Sequence, residues 1–154
     1  KRAVYIQHTR PINAIYRRAV EELMVEMQLL LVNAVFNYDS IYALGVVSTY
    51  DRFMQGYEPA GDRESIYNAI VQAVQGDPGQ YRRDAEEILA SAKAISSIDG
   101  FKSVVKEAKD SAGSDSLRAN LNKIISNSQF KYSRLFAIGL YNVVEAIDTE
   151  LLQD

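Results

Sequence analysis

The sequence predicts an all-α fold, a single-domain bundle of about six to eight helices. Three observations predict it. Apolar residues recur at three- and four-residue steps along nearly the whole chain, the spacing that gathers them on one face of a helix. Capping residues, prolines and glycines separate these runs. No stretch shows the two-residue alternation of a half-buried strand, and there is no internal repeat or low-complexity segment. A chain of 154 residues buries roughly 70% of the surface that its unfolded form exposes, enough for a core that needs neither disulfide nor metal.

Lys1 to His8 is a short lead-in, and Val4, Tyr5 and Ile6 begin a helix that breaks before Pro11, because the residue before proline disfavours the α region. From Thr9 to Val32, Ile12, Ile15, Tyr16, Ala19, Leu23, Met27, Leu30 and Leu31 form an apolar stripe. Thr9 caps this first long helix and Pro11 sits in its first turn, where its missing N–H has no helical partner to lose. Val20, Met24, Val25 and Leu29 widen the stripe, so the helix is expected to pack on two or three sides and to organise the bundle. Asn33 to Tyr38 is a connection. Asp39 caps a second helix, Ser40 to Gln55, that is apolar around most of its circumference and stops at Gly56. Gly45, in its middle, costs about 1 kcal/mol of helix propensity, which predicts close approach of another helix.

Tyr57 to Gly61 is a loop punctuated by Pro59. Asp62 opens a third helix with Ile66, Ala69, Ile70, Ala73 and Val74 on its stripe and Gly76 at its end. Asp77 caps the fourth, with Pro78 at its first position and Gln80 placed as in a capping box; Tyr81, Ala85, Ile88, Leu89, Ala92 and Ile95 mark its face. Ser96 to Gly100 interrupts, and Phe101, Val104, Val105 and Ala108 carry a fifth helix toward Gly113. Ser111 to Ser116 is the most loop-like run. Leu117, Leu121, Ile124 and Ile125 form a short sixth helix. The last, about Gln129 to Leu152, has the stripe Phe130, Ala137, Ile138, Tyr141, Val144, Ile147 and Leu151. The first, second and last long helices carry the most continuous apolar surface and are expected at the centre.

Seventeen Lys plus Arg against twenty Asp plus Glu give a net charge of −3, which repels nucleic acid and anionic lipid unless a local patch intervenes. No nucleic-acid partner is expected. No apolar run approaches the ~18 residues of a membrane span, and no signal-like core follows Lys1, so a targeting segment is either removed or was never there. The absence of cysteine removes thiol nucleophiles, thiolate ligands and disulfides. His8 is the single histidine, whereas helical di-metal carboxylate centres need Glu-x-x-His pairs and zinc hydrolases usually more than one histidine. Phosphate-binding loops, dinucleotide fingerprints and nucleophile elbows are missing too. No cofactor, no metal and no catalytic residue is predicted.

Other charges read as structural or solvated. Arg17 to Glu21 and Arg18 to Glu22 are i,i+4 ion pairs worth about 0.2–0.5 kcal/mol each, and Glu22 with Glu26 completes a salt-laced face. Asp51-Arg52, inside an otherwise apolar helix, reads as an internal pair. Of the ten tyrosines, Tyr16, Tyr42, Tyr50 and Tyr141 lie near core stripes and serve packing with a polar tip. Tyr57, in a loop, is the exception.

Two segments carry a resemblance: HTRPINAIYRRAVEELMVEMQLL at His8 to Leu30 and YDSIYALGVVSTYDRFMQGYEP at Tyr38 to Pro59. Both closely resemble the thylakoid formation protein family, also described as a photosystem II accessory factor of cyanobacteria and chloroplasts. The likeness is looser from Asp62 to Asp154. It implies a non-catalytic helical protein associated with thylakoids, on the cytoplasmic side in cyanobacteria or the stromal side in chloroplasts. It further implies a role in photosystem II biogenesis and repair and a link to FtsH membrane proteases, whose accumulation it supports. Photosystem II assembly components are further candidate partners. The family continues into a charged helical C-terminal extension beyond Asp154, and the absence of a transit peptide leans to a cyanobacterial source.

No family motif marks a binding site, so the candidate partner-binding residues are chosen on physical grounds: Arg17, Arg18, Asp51, Arg52, Tyr57 and Glu58, exposed charges and a loop aromatic within the two matching blocks. Membrane association is expected to be peripheral and mediated by partners. The alternative is a pigment- or lipid-binding carrier with a cavity between the tyrosine-bearing helices.

Overall fold

A computed structural model describes residues 14–33, 36–95, 98–110, 116–125 and 133–147. Among them are seven helices: α1 Ala14–Leu31, α2 Ser40–Phe53, α3 Gly61–Ala73, α4 Pro78–Lys93, α5 Ile98–Asp110, α6 Ser116–Ile125 and α7 Arg134–Ile147. No strand occurs among the described residues, and the all-α expectation holds. The lead-in, the Thr9 cap, Pro11, Ile12, the Ser111–Asp115 loop, Phe130 and Leu151 lie outside the described residues.

α2 is the middle of the bundle. Its apolar circumference is used on both sides: Tyr42, Ala43, Val46 and Tyr50 enter a core shared with α1 and α3, while Ile41 and Leu44 enter a second core filled by α4, α5, α6 and α7. Its most extensive contacts are with α7 and then α4; α1 touches α2 and α3 far less. This corrects the expectation that the first, second and last helices form the centre. The fourth takes the place of the first, because its small residues Ala85 and Ala92, both buried, let its backbone come close, whereas α1 caps the outside.

Gly45 does permit close approach, and its counterpart is a glycine the sequence reading passed over. A Cβ built on Gly45 would lie 1.9 Å from the Leu135 carbonyl oxygen, and one on Gly139 would lie 1.9 Å from the Ile41 carbonyl oxygen. Backbone meets backbone here, and no side-chain rotation relieves such overlap. The buried face of α7 is set accordingly: Leu135, Phe136, Gly139, Val143 and Ile147 are buried, Ala137, Ile138 and Val144 are half-buried, and Tyr141 is 46% exposed. The predicted stripe was therefore turned by roughly one residue, ~100°. Ser133 is not helical and its Oγ accepts from the Phe136 N–H at 3.1 Å, so α7 starts at Arg134 and is not continuous from Gln129.

The caps are mostly where the sequence places them. Asp77 accepts from the N–H groups of Gly79 and Gln80, with Pro78 at the first turn of α4. α3 begins at Gly61, one residue before Asp62, with no side-chain cap. At its end the left-handed residue is Gln75, φ 65°, and not Gly76; the Gly76 N–H returns to the Val71 carbonyl at 2.8 Å. α4 and α5 are separated by a shorter break than predicted, with α5 restarting at Ile98.

Asp39 caps α2 by accepting from the Tyr42 N–H at 2.7 Å. Nearby, the Ser40 N–H donates to Asn120 Oδ1 at 2.8 Å and Lys123 Nζ donates to the Tyr38 carbonyl at 2.6 Å, so α6 clamps the start of α2. Burial pushes the Asp39 carboxyl up, against the opposing pull of the Tyr42 N–H and the Lys123 charge. A raised folded pKa contributes stability that is fully present below the ordinary carboxylate value and lost as pH rises through the raised one. At neutral pH the Asp39 charge is therefore a cost. Asp39→Asn keeps an acceptor for the cap without the charge, and denaturation at pH ~7 should show it as stable as the parent or more so, the gain vanishing below pH ~4. Asp39→Ala should lose about 1 kcal/mol.

Candidate interaction surface

The tyrosines form the inner wall of the first core. Tyr38, Tyr42 and Tyr81 stack pairwise at centroid distances of 5.2 to 5.9 Å, and Phe36 adds an edge contact to Tyr42 at 5.1 Å. Tyr50 meets Phe53 and Tyr67, each at 5.4 Å. Hydroxyls reach polar partners: Tyr38 donates to Asp84 Oδ2 at 2.6 Å, Tyr67 to the Pro78 carbonyl at 3.1 Å, and Tyr50 to the Arg63 carbonyl. Rings filled against rings make this a packed core, as expected for Tyr42 and Tyr50.

Burial pushes the hydroxyls of Tyr38, Tyr42, Tyr50, Tyr67 and Tyr81 above the usual tyrosine range, with the Asp84 carboxylate raising Tyr38 further. Their contribution to stability is fully present below pH ~10 and lost as pH rises toward the raised values. Tyrosinate absorbance should therefore appear together with loss of helical circular dichroism. Reversible titration of all five with helicity intact would contradict the packing described.

The six candidate residues do not form one cluster. Arg17 and Arg18 are exposed on α1, and Arg18 Nε pairs with Glu22 at 3.0 Å. Asp51 is exposed and binds Arg82 through two bonds of 3.2 and 3.3 Å, while Arg82 also reaches Glu64 at 3.2 Å and lies 4.2 Å over the Tyr67 ring. Asp51-Arg52 is thus not an internal pair. Adjacent helix residues point ~100° apart, and Arg52 turns instead to a cleft of 190 Å³ between α2 and α7 with Ser48, Thr49, Phe53, Arg134 and Ile138. Tyr57 is 2% exposed and packs edge-on against Tyr16 at 4.9 Å. It is core, because the start of α1 folds over the α2–α3 loop, a contact between distant residues that no local pattern reveals. Glu58 is exposed beside it.

The surface that the sequence reading missed is the outer face of α1. The buried residues are Val20, Leu23, Met24 and Met27, with Tyr16, Leu30 and Leu31 packed beside them. Ile15, assigned to the stripe, is 80% exposed; Val25, Leu29 and Val32, taken to face neighbours or to extend the apolar run, are 44%, 67% and 66% exposed. Val25 and Leu29 line a cleft of 440 Å³ together with Arg18, Glu21, Glu22 and Glu26. Glu26 is held from another helix: the Arg134 guanidinium crosses from α7 and donates Nε to Glu26 Oε1 at 2.9 Å, which ties this cleft to the one holding Arg52.

No group of three or more His, Cys, Asp or Glu suited to a metal occurs among the described residues. Nor is any described helix long and apolar enough to cross a membrane. The whole chain, residues 1–154, matches the model of a family described as Thylakoid formation protein. The chain belongs to that family. It is 50% identical over 154 residues to Protein Thf1 of Gloeothece citriformis and 53% identical over 154 residues to Protein Thf1 of Trichormus variabilis, covering 100% of this chain and 68% and 66% of those proteins. A solved structure of Psb29 superposes with a TM-score of 0.80 at 41% identity, covering 99% of this chain and 76% of that one. The chain therefore spans about two thirds of the length of these curated family members. The family assigned from the two sequence blocks is thus the family found.

Proposed function

We propose that this domain is the helical body of a non-catalytic accessory factor in thylakoid and photosystem II biogenesis and repair, which acts by binding FtsH membrane protease complexes and supporting their accumulation. The observation that carries the reading is the match to the thylakoid formation family along the entire chain. The composition supports it: a net charge of −3 and a single histidine suit a binding body better than a catalyst. Association with the thylakoid is peripheral and follows the protein partner, on the cytoplasmic side in cyanobacteria or the stromal side in chloroplasts, because a mildly acidic chain gains little from anionic head groups. Photosystem II assembly components are further partners.

Fractionation tests this. In cells lacking the FtsH complex the membrane-bound share should fall, and charge reversal at Arg17 with Arg18, or at Arg52, should weaken co-purification while the domain stays folded. Persistent binding to protein-free thylakoid-lipid vesicles at physiological salt would contradict partner-mediated recruitment.

A further inference from the structure

The cleft of 190 Å³ between the carboxyl-terminal turns of α2 and the first turns of α7 is lined by Ser48, Thr49, Arg52, Phe53, Arg134 and Ile138. Two of these carry positive charge and none carries negative charge, but the two guanidiniums are not equivalent. Arg134 is committed: its Nε donates to Glu26 at 2.9 Å and its Nη2 donates to the same carboxylate, which offsets its charge and leaves Nη1 over. Arg52 is exposed, and its guanidinium has no hydrogen-bond or ionic partner among the described residues. Asp51, next to it in the chain, is turned away to Arg82. The cleft therefore presents one uncommitted positive charge.

The hydroxyls differ in the same way. Ser48 Oγ accepts from Asn142 Nδ2 at 2.6 Å and is used in holding α2 to α7. Thr49 Oγ1 is buried without a hydrogen-bond partner, an arrangement that costs free energy until an acceptor arrives. Threonine in a helix has two accessible χ1 wells, so this hydroxyl can be re-aimed. The remaining walls, Phe53 and Ile138, are apolar and half-buried. One uncommitted charge matches a monoanion and not a phosphate dianion, the planar guanidinium fork matches a carboxylate, and the apolar walls match a methylene stem. We propose that this cleft binds an alkyl carboxylate, its oxygens on Arg52 and on Arg134 Nη1, the Thr49 hydroxyl turned onto it, and its stem between Phe53 and Ile138. A glutamate side chain of a protein partner and a free short-chain acid share this chemistry. The site is a property of the α2–α7 junction and goes beyond the FtsH reading, which it does not require.

The test titrates the isotope-labelled full chain with butyrate, with the end-capped peptide Ala-Ala-Glu-Ala-Ala, with butyramide and with inorganic phosphate, followed by NMR at ~0.05 M salt, where screening is modest. Butyrate should give saturable shifts centred on the Arg52 Nε–H, Thr49 and Ile138, with a dissociation constant in the millimolar range. Arg52→Gln should weaken it about 10-fold and Thr49→Val about 3-fold, both with the circular dichroism spectrum unchanged, whereas Arg17→Gln on α1 should leave it as it is. Butyramide, which lacks the charge, should not bind. Peptide shifts on the same residues would show that the cleft admits a chain-borne glutamate, and butyrate binding without the peptide would assign it to a free acid; both outcomes uphold the carboxylate site. The proposal is overturned if neither carboxylate saturates, if the shifts spread equally to Arg17 and Arg83, if butyramide binds as well as butyrate, if phosphate binds more tightly, or if folded Arg52→Gln binds undiminished.

Discussion

Gly45→Ala should lower the stability of the domain by about 1–3 kcal/mol or more, although alanine improves helix propensity by up to ~1 kcal/mol. The added carbon lands 1.9 Å from the Leu135 carbonyl oxygen and 2.8 Å from its carbonyl carbon, so α2 and α7 must separate and loosen the contacts beside them. For a chain of this size each kcal/mol lowers the thermal midpoint by about 2–4 °C. Gly139→Ala should behave alike, since its carbon meets the Ile41 carbonyl from the other side. Because both act on one contact, the double variant should lose less than the sum of the two. A midpoint equal to or above the parent's in either single variant would show that the two backbones are not held this close.

Tyr42→Ala should cost about 3–5 kcal/mol, the range for emptying a buried aromatic site. Tyr42 is 1% exposed and its ring touches Phe36, Tyr38 and Tyr81, so its removal unfastens the α1–α2 connection and α4 together. Tyr42→Phe should cost under about 1 kcal/mol, because the hydroxyl lies 3.5 Å from that of Tyr81, at the outer limit of a useful hydrogen bond. Urea denaturation of the pair separates ring from hydroxyl. Comparable losses in both would mean the hydroxyl pair, and not ring packing, holds this wall.

The helices themselves were legible because their evidence is local: Asp39, Asp77 and Pro78 mark starts, and the apolar spacing marks faces. What periodicity does not settle is which apolar face is buried when a helix has more than one. α1 offers two: its spacing places Ile15 inward and Val25 and Leu29 against neighbours, whereas all three are exposed. α7 runs Leu135, Phe136, Ala137, Ile138 with Gly139 and Leu140 after them, so almost any stripe through it is apolar; the glycine contact with α2 selects the one that is buried. The centre was misplaced for a related reason. A run of long apolar residues draws attention to α1, whereas α4 gains its position from alanines that permit approach.

Of the six candidate residues, Arg17, Arg18 and Glu58 were legible as exposed, since charged side chains seldom lie buried; Asp51 and Arg52 read both as an internal pair and as exposed charges, and only the packing of α2 shows that both are exposed and face different neighbours. Tyr57 was not legible, because its burial depends on Tyr16, forty-one positions earlier (57 minus 16). The pairing of Asp51 with Arg82 and of Glu26 with Arg134 is likewise set by which helices come together, information that appears only once the bundle is assembled.

Binding of the purified chain to purified, detergent-solubilised FtsH complex, followed by surface plasmon resonance at physiological salt, tests the central claim most directly. The account predicts saturable binding that charge reversal at Arg17 with Arg18, or at Arg52, weakens in a folded domain. Binding no greater than that of an unrelated folded protein of the same net charge would contradict it.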